Sequence, residues 1–146
     1  MTSDGDLAAG RLPEPYRQRV LLVDDSSGFR GLLQLFLSTV PGVEIVAEAA
    51  DGVEAIAAVS RTKPDLVLMD VRMPNLNGLQ ATKQLRAGGA SVRILLLSAY
   101  GDSIPRWLAA EVGADDVLDK SSLGERLREA IAGQGQGQGQ GEGGRG

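Results

Sequence analysis

The 146 residues, 42% of them hydrophobic, suffice for one domain with a buried core and are too few for two ordinary ones. Lysine and arginine number 15 against 19 acids, a net charge of −4, and no basic block is long enough to track a phosphate backbone, which argues against direct nucleic-acid binding by this domain. Cysteine and histidine are absent, which excludes disulfides, thiolate chemistry, the commonest zinc ligands and the commonest general base, so any chemistry must run on carboxylates, hydroxyls and lysine. The opening MTSDGDLAAG has no positive segment followed by an apolar one, and no apolar run approaches the roughly 18 residues that span a bilayer. A soluble, cytoplasmic chain with no membrane partner is expected.

Residues 1–18 mix glycine, proline and charge without periodicity and read as a flexible extension, with Tyr16 packing back on the domain. Residues 19–24, RVLLVD, are an apolar run ending in acid, the first strand, and Asp25, Ser26 and Ser27 follow at once. Helical period then places Phe29, Leu32, Leu33, Phe36 and Leu37 on one face, stopping before Pro41 and Gly42. Residues 43–50 read as strand two, and residues 52–61 as a short helix stopped at Lys63 and Pro64. Residues 66–70, LVLMD, form an unbroken apolar run between two prolines, the pattern of a strand buried on both faces, and they deliver Asp70 to its carboxyl end. After the turn residues Pro74 and Gly78 a helix over 79–87 closes at Gly88 and Gly89, and residues 92–98, VRILLLS, make strand four. A helix with Asp102 or Ser103 as cap and Pro105 in its first turn, a strand over 114–118, Lys120, and a last amphipathic helix over 123–132 complete the domain at 19–132. Glu54, Arg61, Arg126 and Arg128 read as solvated faces. The remainder, 133–146, is a low-complexity glycine and glutamine tail, expected to be disordered, with a reach of roughly 20 Å.

Strands alternating with helices imply an α/β, doubly wound, flavodoxin-like fold with a five-stranded parallel sheet of order 2-1-3-4-5. That order puts strands one and three side by side at the switch point, so Asp24 and Asp25 meet Asp70, with Ser98 and Lys120 carried toward the same crevice. Two carboxylates about 4 Å apart interact with roughly 4 kcal/mol at an effective dielectric near 20, so three together call for a cation. Hard oxygen donors alone point to Mg2+. A phosphoryl donor held there faces Asp70 for in-line transfer, with the Lys120 ammonium and the Ser98 hydroxyl on the phosphoryl oxygens.

These residues resemble the receiver domains of two-component response regulators, the CheY-like family. The resemblance runs over about 19–132 and rests on LLVDDS, LMDVRMPNLNG, ILLLSA and GADDVLDK at the ends of the predicted strands; KSSLGERLREAI after the last of them is closer in style to NarL-type receivers. It implies a phosphorelay module rather than a turnover enzyme, catalysing only its own phosphorylation and dephosphorylation. Asp70 is then the phosphoacceptor, Asp25 and Asp70 bind Mg2+ with Asp24 helping, the Arg72 backbone carbonyl is a further ligand, and Ser98 and Lys120 touch the phosphoryl group. The implied donor is a histidine kinase or phosphotransfer protein. The implied output is a protein target or an output domain, through the face of helix four, strand five and helix five, with homodimerisation open.

The sequence also departs from that family. Val117 stands where Tyr or Phe usually precedes the lysine by three, so either Tyr100 or Trp107 takes over the switch or phosphorylation is read out weakly. Large side chains at Arg72 and Tyr100, positions that tune hydrolysis in such domains, imply slow dephosphorylation. Two other functions are weighed: the receiver half of a DNA-binding transcription regulator, and a phosphatase of the haloacid dehalogenase type. The latter wants D-x-D, whereas Asp24 and Asp25 are adjacent. No G-x-x-x-x-G-K-[ST] follows any strand, which disfavours a nucleotide switch.

Overall fold

The protein is described from a computed structural model over residues 17–99 and 104–133. Among these, strands and helices alternate: β1 (Gln18–Val23), α1 (Ser27–Leu37), β2 (Val43–Ala49), α2 (Gly52–Thr62), β3 (Leu66–Asp70), α3 (Gly78–Ala87), β4 (Arg93–Ser98), α4 (Arg106–Val112), β5 (Asp116–Asp119) and α5 (Leu123–Gly133), with a 3-10 turn, Lys120–Ser122, before α5. All neighbouring strands are parallel, in the order β2-β1-β3-β4-β5. This is the flavodoxin-like order 2-1-3-4-5 that the alternation implies, and its switch point lies between β1 and β3.

The period-two alternation of the strands divides the core in two. Leu21, Val23, Val67, Met69, Ile94 and Leu96 face one side and pack with Ala55, Ala58 and Val59 of α2, Ala81 and Leu85 of α3, and Ala109 of α4. Val20, Leu22, Leu66, Leu68, Leu95 and Leu97 face the other and pack with Leu33 and Leu37 of α1 and Leu127 and Ile131 of α5. Each fully buried leucine is worth about 1.5–3 kcal/mol of transfer free energy. The central strand β3 is buried at every residue, as its unbroken apolar run requires.

Local signals set the helix starts. The side chains of Ser26, Asp51 and Asn77 accept the amides of Phe29, Glu54 and Gln80, and Asn77 with Gln80 closes a reciprocal capping box. Helix α4 differs from expectation: it starts only at Arg106, with Pro105 as cap and no side-chain hydrogen bond. Proline disfavours helical backbone at the residue before it, which keeps Ile104 out of the helix. Strand β5 begins later than expected, at Asp116, because the Ala114 amide still closes α4 on the Ala109 carbonyl (2.9 Å) and the Asp115 carboxylate takes the Ile94 amide (2.8 Å). Glu54 and Arg128 do more than face solvent: the Glu54 carboxylate accepts the Ala50 amide (2.9 Å), and the Arg128 guanidinium lies 5.0 Å from the Phe36 ring centre. Residues 1–16 with Tyr16, the glycine and glutamine tail from 134, Tyr100, and the caps expected at Asp102 or Ser103 lie outside the described residues.

Candidate functional site

The site is assembled by strand ends. Val23 of β1 stands opposite Met69 of β3, so the next residues, Asp24 and Asp70, leave the sheet side by side. Asp70 in turn stands opposite Leu97, one residue short of Ser98, and Ser98 stands opposite Asp119, the residue before Lys120. Asp24, Asp70 and Ser98 are buried, 1%, 5% and 6% exposed, while Asp25 is open to solvent.

The structure brings the three carboxylates together: one oxygen from each of Asp24, Asp25 and Asp70 lies within 4.8 Å of the others. The Lys120 ammonium sits between the two buried acids, 2.7 Å from Asp24 Oδ2 and 3.4 Å from Asp70 Oδ1. Asp24 is held from three directions, since its Oδ1 accepts the Ser26 amide (2.8 Å), its backbone carbonyl accepts Arg30 Nη1 (2.5 Å), and its amide donates to the Ala49 carbonyl (3.0 Å). Burial, reinforced by the charge of Asp24, pushes the Asp70 carboxyl up to about 6; Lys120 and the Arg72 amide, which donates to it, pull the other way. Three hard oxygen donors, two buried and one open to solvent, fit a small divalent cation that keeps part of its shell as water or phosphate.

Two loops fix the acid and the lysine. The loop after Asp70 is tied to the start of α2: Asn75 Nδ2 donates to Asp51 Oδ2 (2.6 Å) and the Gly52 amide to the Leu76 carbonyl (2.9 Å). Asn75 adopts φ 67°, a left-handed conformation asparagine tolerates. On the other side the Asp119 carboxylate accepts the Ser121 amide (2.8 Å) and hydroxyl (2.7 Å), which starts the turn that aims Lys120. Sequence reasoning missed these supports. The D-x-x-E of Asp51 to Glu54 and the D-x-S of Asp119 to Ser121 carried a capping signal, whereas nothing local pointed to Asn75 as the partner of Asp51.

The positions that depart from the family pattern also have places. Val117 is half-buried on β5 opposite Leu96 and packs, with Ile104, against the core on the α2, α3 and α4 side. Trp107 is 68% exposed on α4, Arg72 is exposed in the loop after Asp70, and Tyr100 lies outside the described residues.

Residues 20–132 match the family described as response regulator receiver domain, and the chain belongs to that family. Over 113 residues it is 33% identical to the response regulator protein VraR of Staphylococcus aureus, which covers 77% of this chain and 54% of that protein; the chain thus spans about half the length of that relative. Among solved structures it resembles a two-component response regulator of the LuxR family from Aurantimonas sp. (35% identity, TM-score 0.75, covering 81% of this chain and 84% of that one). It also resembles the signal receiver domain of NarL from Mycobacterium tuberculosis (32% identity, TM-score 0.76, covering 84% and 99%). Receiver domains of two-component systems are signalling modules rather than classical enzymes; as a family they bind Mg2+ at an acidic pocket and interact with histidine kinases.

Proposed function

We propose that this receiver accepts a phosphoryl group on Asp70 and switches protein contacts in response. The observation that carries the reading is the Lys120 ammonium lodged between Asp24 and Asp70 within a cluster of three carboxylates. A carboxylate oxygen of Asp70 attacks phosphorus, the bond from phosphorus to the donor breaks, and the donor group leaves with the electron pair. Asp70 then carries an acyl phosphate. The donor is the phosphohistidine of a histidine kinase or phosphotransfer protein, or a small acyl phosphate. Asp24, Asp25, Asp70 and the Arg72 backbone carbonyl are the residues that would hold Mg2+, which when bound neutralises charge on the carboxylates and on the transferred group. Lys120 exchanges its contact with Asp24 for a phosphoryl oxygen, and Ser98, at the neighbouring strand end, donates its hydroxyl to another. The same site later admits water to hydrolyse the acyl phosphate, and the large exposed Arg72 supports slow hydrolysis.

The module acts in the cytoplasm, where its kinase donors operate; no helix among the described residues is long and apolar enough to cross a membrane. The receiver domain runs from the start of β1 at Gln18 to the end of α5 at Gly133, one residue beyond the expected bounds at each end. Output runs through the face of α4, β5 and α5. Val117 is too short to relay the change, so the exposed Trp107 is the residue there best placed to report it. Similarity to VraR and to LuxR-family regulators supports a second reading of the output, in which the contacts govern a DNA-binding domain.

Intact-mass measurement after incubation with Mg2+ and a small acyl phosphate tests the proposal. A single phosphate adduct that needs Mg2+ and is missing in Asp70→Asn is expected. An adduct that persists in Asp70→Asn, or none in the wild type, would overturn it.

A further inference from the structure

We propose that Phe29 is a positioning residue for Lys120, its ring holding the ammonium in the gap between Asp24 and Asp70. The inference rests on the reading of the site given above. Lys120 Nζ lies 4.1 Å from the centre of the Phe29 ring, within the range of a cation–π contact, on top of its contacts at 2.7 Å to Asp24 and 3.4 Å to Asp70. A lysine side chain has four rotatable bonds and three rotating donors, so two carboxylates alone leave its head free to swing. The ring closes off a further side. The lysine side chain is only 18% exposed, which strengthens the attraction between its charge and the negative face of the ring.

The ring itself is well fixed. Phe29 sits in the first turn of α1, its amide donates to the capping Ser26 Oγ (3.1 Å), and its side chain packs against the core shared with α1 and α5. The same Ser26 donates its amide to Asp24, so the cap that starts α1 ties the ring and the acid to one turn of backbone. A cation–π contact has no fixed hydrogen-bond direction. The ammonium can therefore trade Asp24 for a phosphoryl oxygen while staying over the ring, whereas a third carboxylate would compete for it.

The blander role for Phe29 is core filling, and substitution separates the two. Phe29→Leu keeps an apolar side chain of similar reach and removes the ring; Phe29→Tyr keeps the ring face. The chain has three lysines, Lys63, Lys83 and Lys120, so the ε-methylene signals of the full chain can be assigned by NMR with Lys120→Arg. Ring-current shielding should move the Lys120 ε-methylene protons upfield of those of Lys63 and Lys83 in the wild type and in Phe29→Tyr, and the shift should vanish in Phe29→Leu. With Mg2+ and a small acyl phosphate, Phe29→Leu should gain its adduct three- to ten-fold more slowly, and Phe29→Tyr should recover most of the rate. Unshifted Lys120 protons in the wild type would overturn the proposal, as would equal rates in Phe29→Leu and Phe29→Tyr. The shift is read without any phosphoryl donor, so a wild type that shows it yet takes no adduct contradicts the phosphoacceptor reading and leaves the placement of Lys120 standing.

Discussion

Asp70 is a carboxylate kept in an unfavourable place. Its pKa is about 6 in the fold against 3.8 for an unperturbed aspartate, so between those pH values the native protein binds the proton more tightly than the unfolded chain. Stability of the metal-free protein should therefore fall as pH rises from about 4 to about 6 and level off above, by about 2–3 kcal/mol in all. Asp70→Asn should remove that decline and leave the metal-free protein more stable at pH 7 by a similar amount, as urea unfolding with a chelator present will measure; parallel pH profiles for the two proteins would contradict it. Asp51 and Asp119 have the opposite sign. Hydrogen bonds from the Glu54 amide and Asn75, and from the Ser121 hydroxyl and amide, hold their carboxyls below the usual range, so what they contribute is present above pH 3.8 and lost as pH falls through the lowered values. At this scale the sequence was informative where a residue's role follows from where its strand ends: Asp24 and Asp70 each follow an apolar run, and Lys120 comes just after the short last strand. Phe29 read as one more apolar position of α1, because its contact with Lys120 joins elements ninety residues apart.

The loop between β3 and α3 depends on two glycines that let backbones touch. A Cβ on Gly52 would lie 2.4 Å from the Leu76 carbonyl oxygen, and one on Gly78 would lie 2.3 Å from the Asp70 carbonyl oxygen. Gly52→Ala and Gly78→Ala should each destabilise by about 1–3 kcal/mol and displace the loop that follows the phosphoacceptor. Gly31 on α1 is exposed, and a Cβ there meets nothing within 4 Å, so Gly31→Ala should instead stabilise by about 0.5–1 kcal/mol. Urea unfolding of the three variants checks the contrast, and a shared sign would contradict it. Element type was legible throughout from periodicity, and the misplaced boundaries have particular causes. Pro105 disfavours helical backbone at the residue before it and caps α4, and Asp115 commits its carboxylate to β4 and α3 before β5 can begin.

Across the whole molecule each helix layer is also tied to the sheet, at the end opposite the site, by long side chains. Arg86, near the end of α3, donates to the carbonyls of Gly113 (2.8 Å), Ala90 (3.0 Å) and Val92 (2.7 Å) and pairs with Asp115 (3.2 Å), gathering α3, β4 and the end of α4. Arg93 reaches the Ala130 carbonyl of α5 (2.7 Å). Arg86→Ala should cost about 2–3 kcal/mol, and Arg86→Lys should recover less than half of it, since an ammonium cannot spread its donors as a guanidinium fork does. Wild-type stability in Arg86→Lys would contradict this. Such clasps were not legible, because an arginine in the last turn of a helix reads equally well as a solvated charge. The sheet order was legible, because alternation and handedness leave few topologies, and that order gathers the acids. The phosphoacceptor assignment is tested most directly by reducing the phosphorylated protein with borohydride, which turns an aspartyl phosphate into homoserine, and mapping the product by peptide mass. The account predicts homoserine at position 70 and at no other acid; homoserine at 24 or 25, or unaltered aspartate at 70 in protein that carries the adduct, would contradict it.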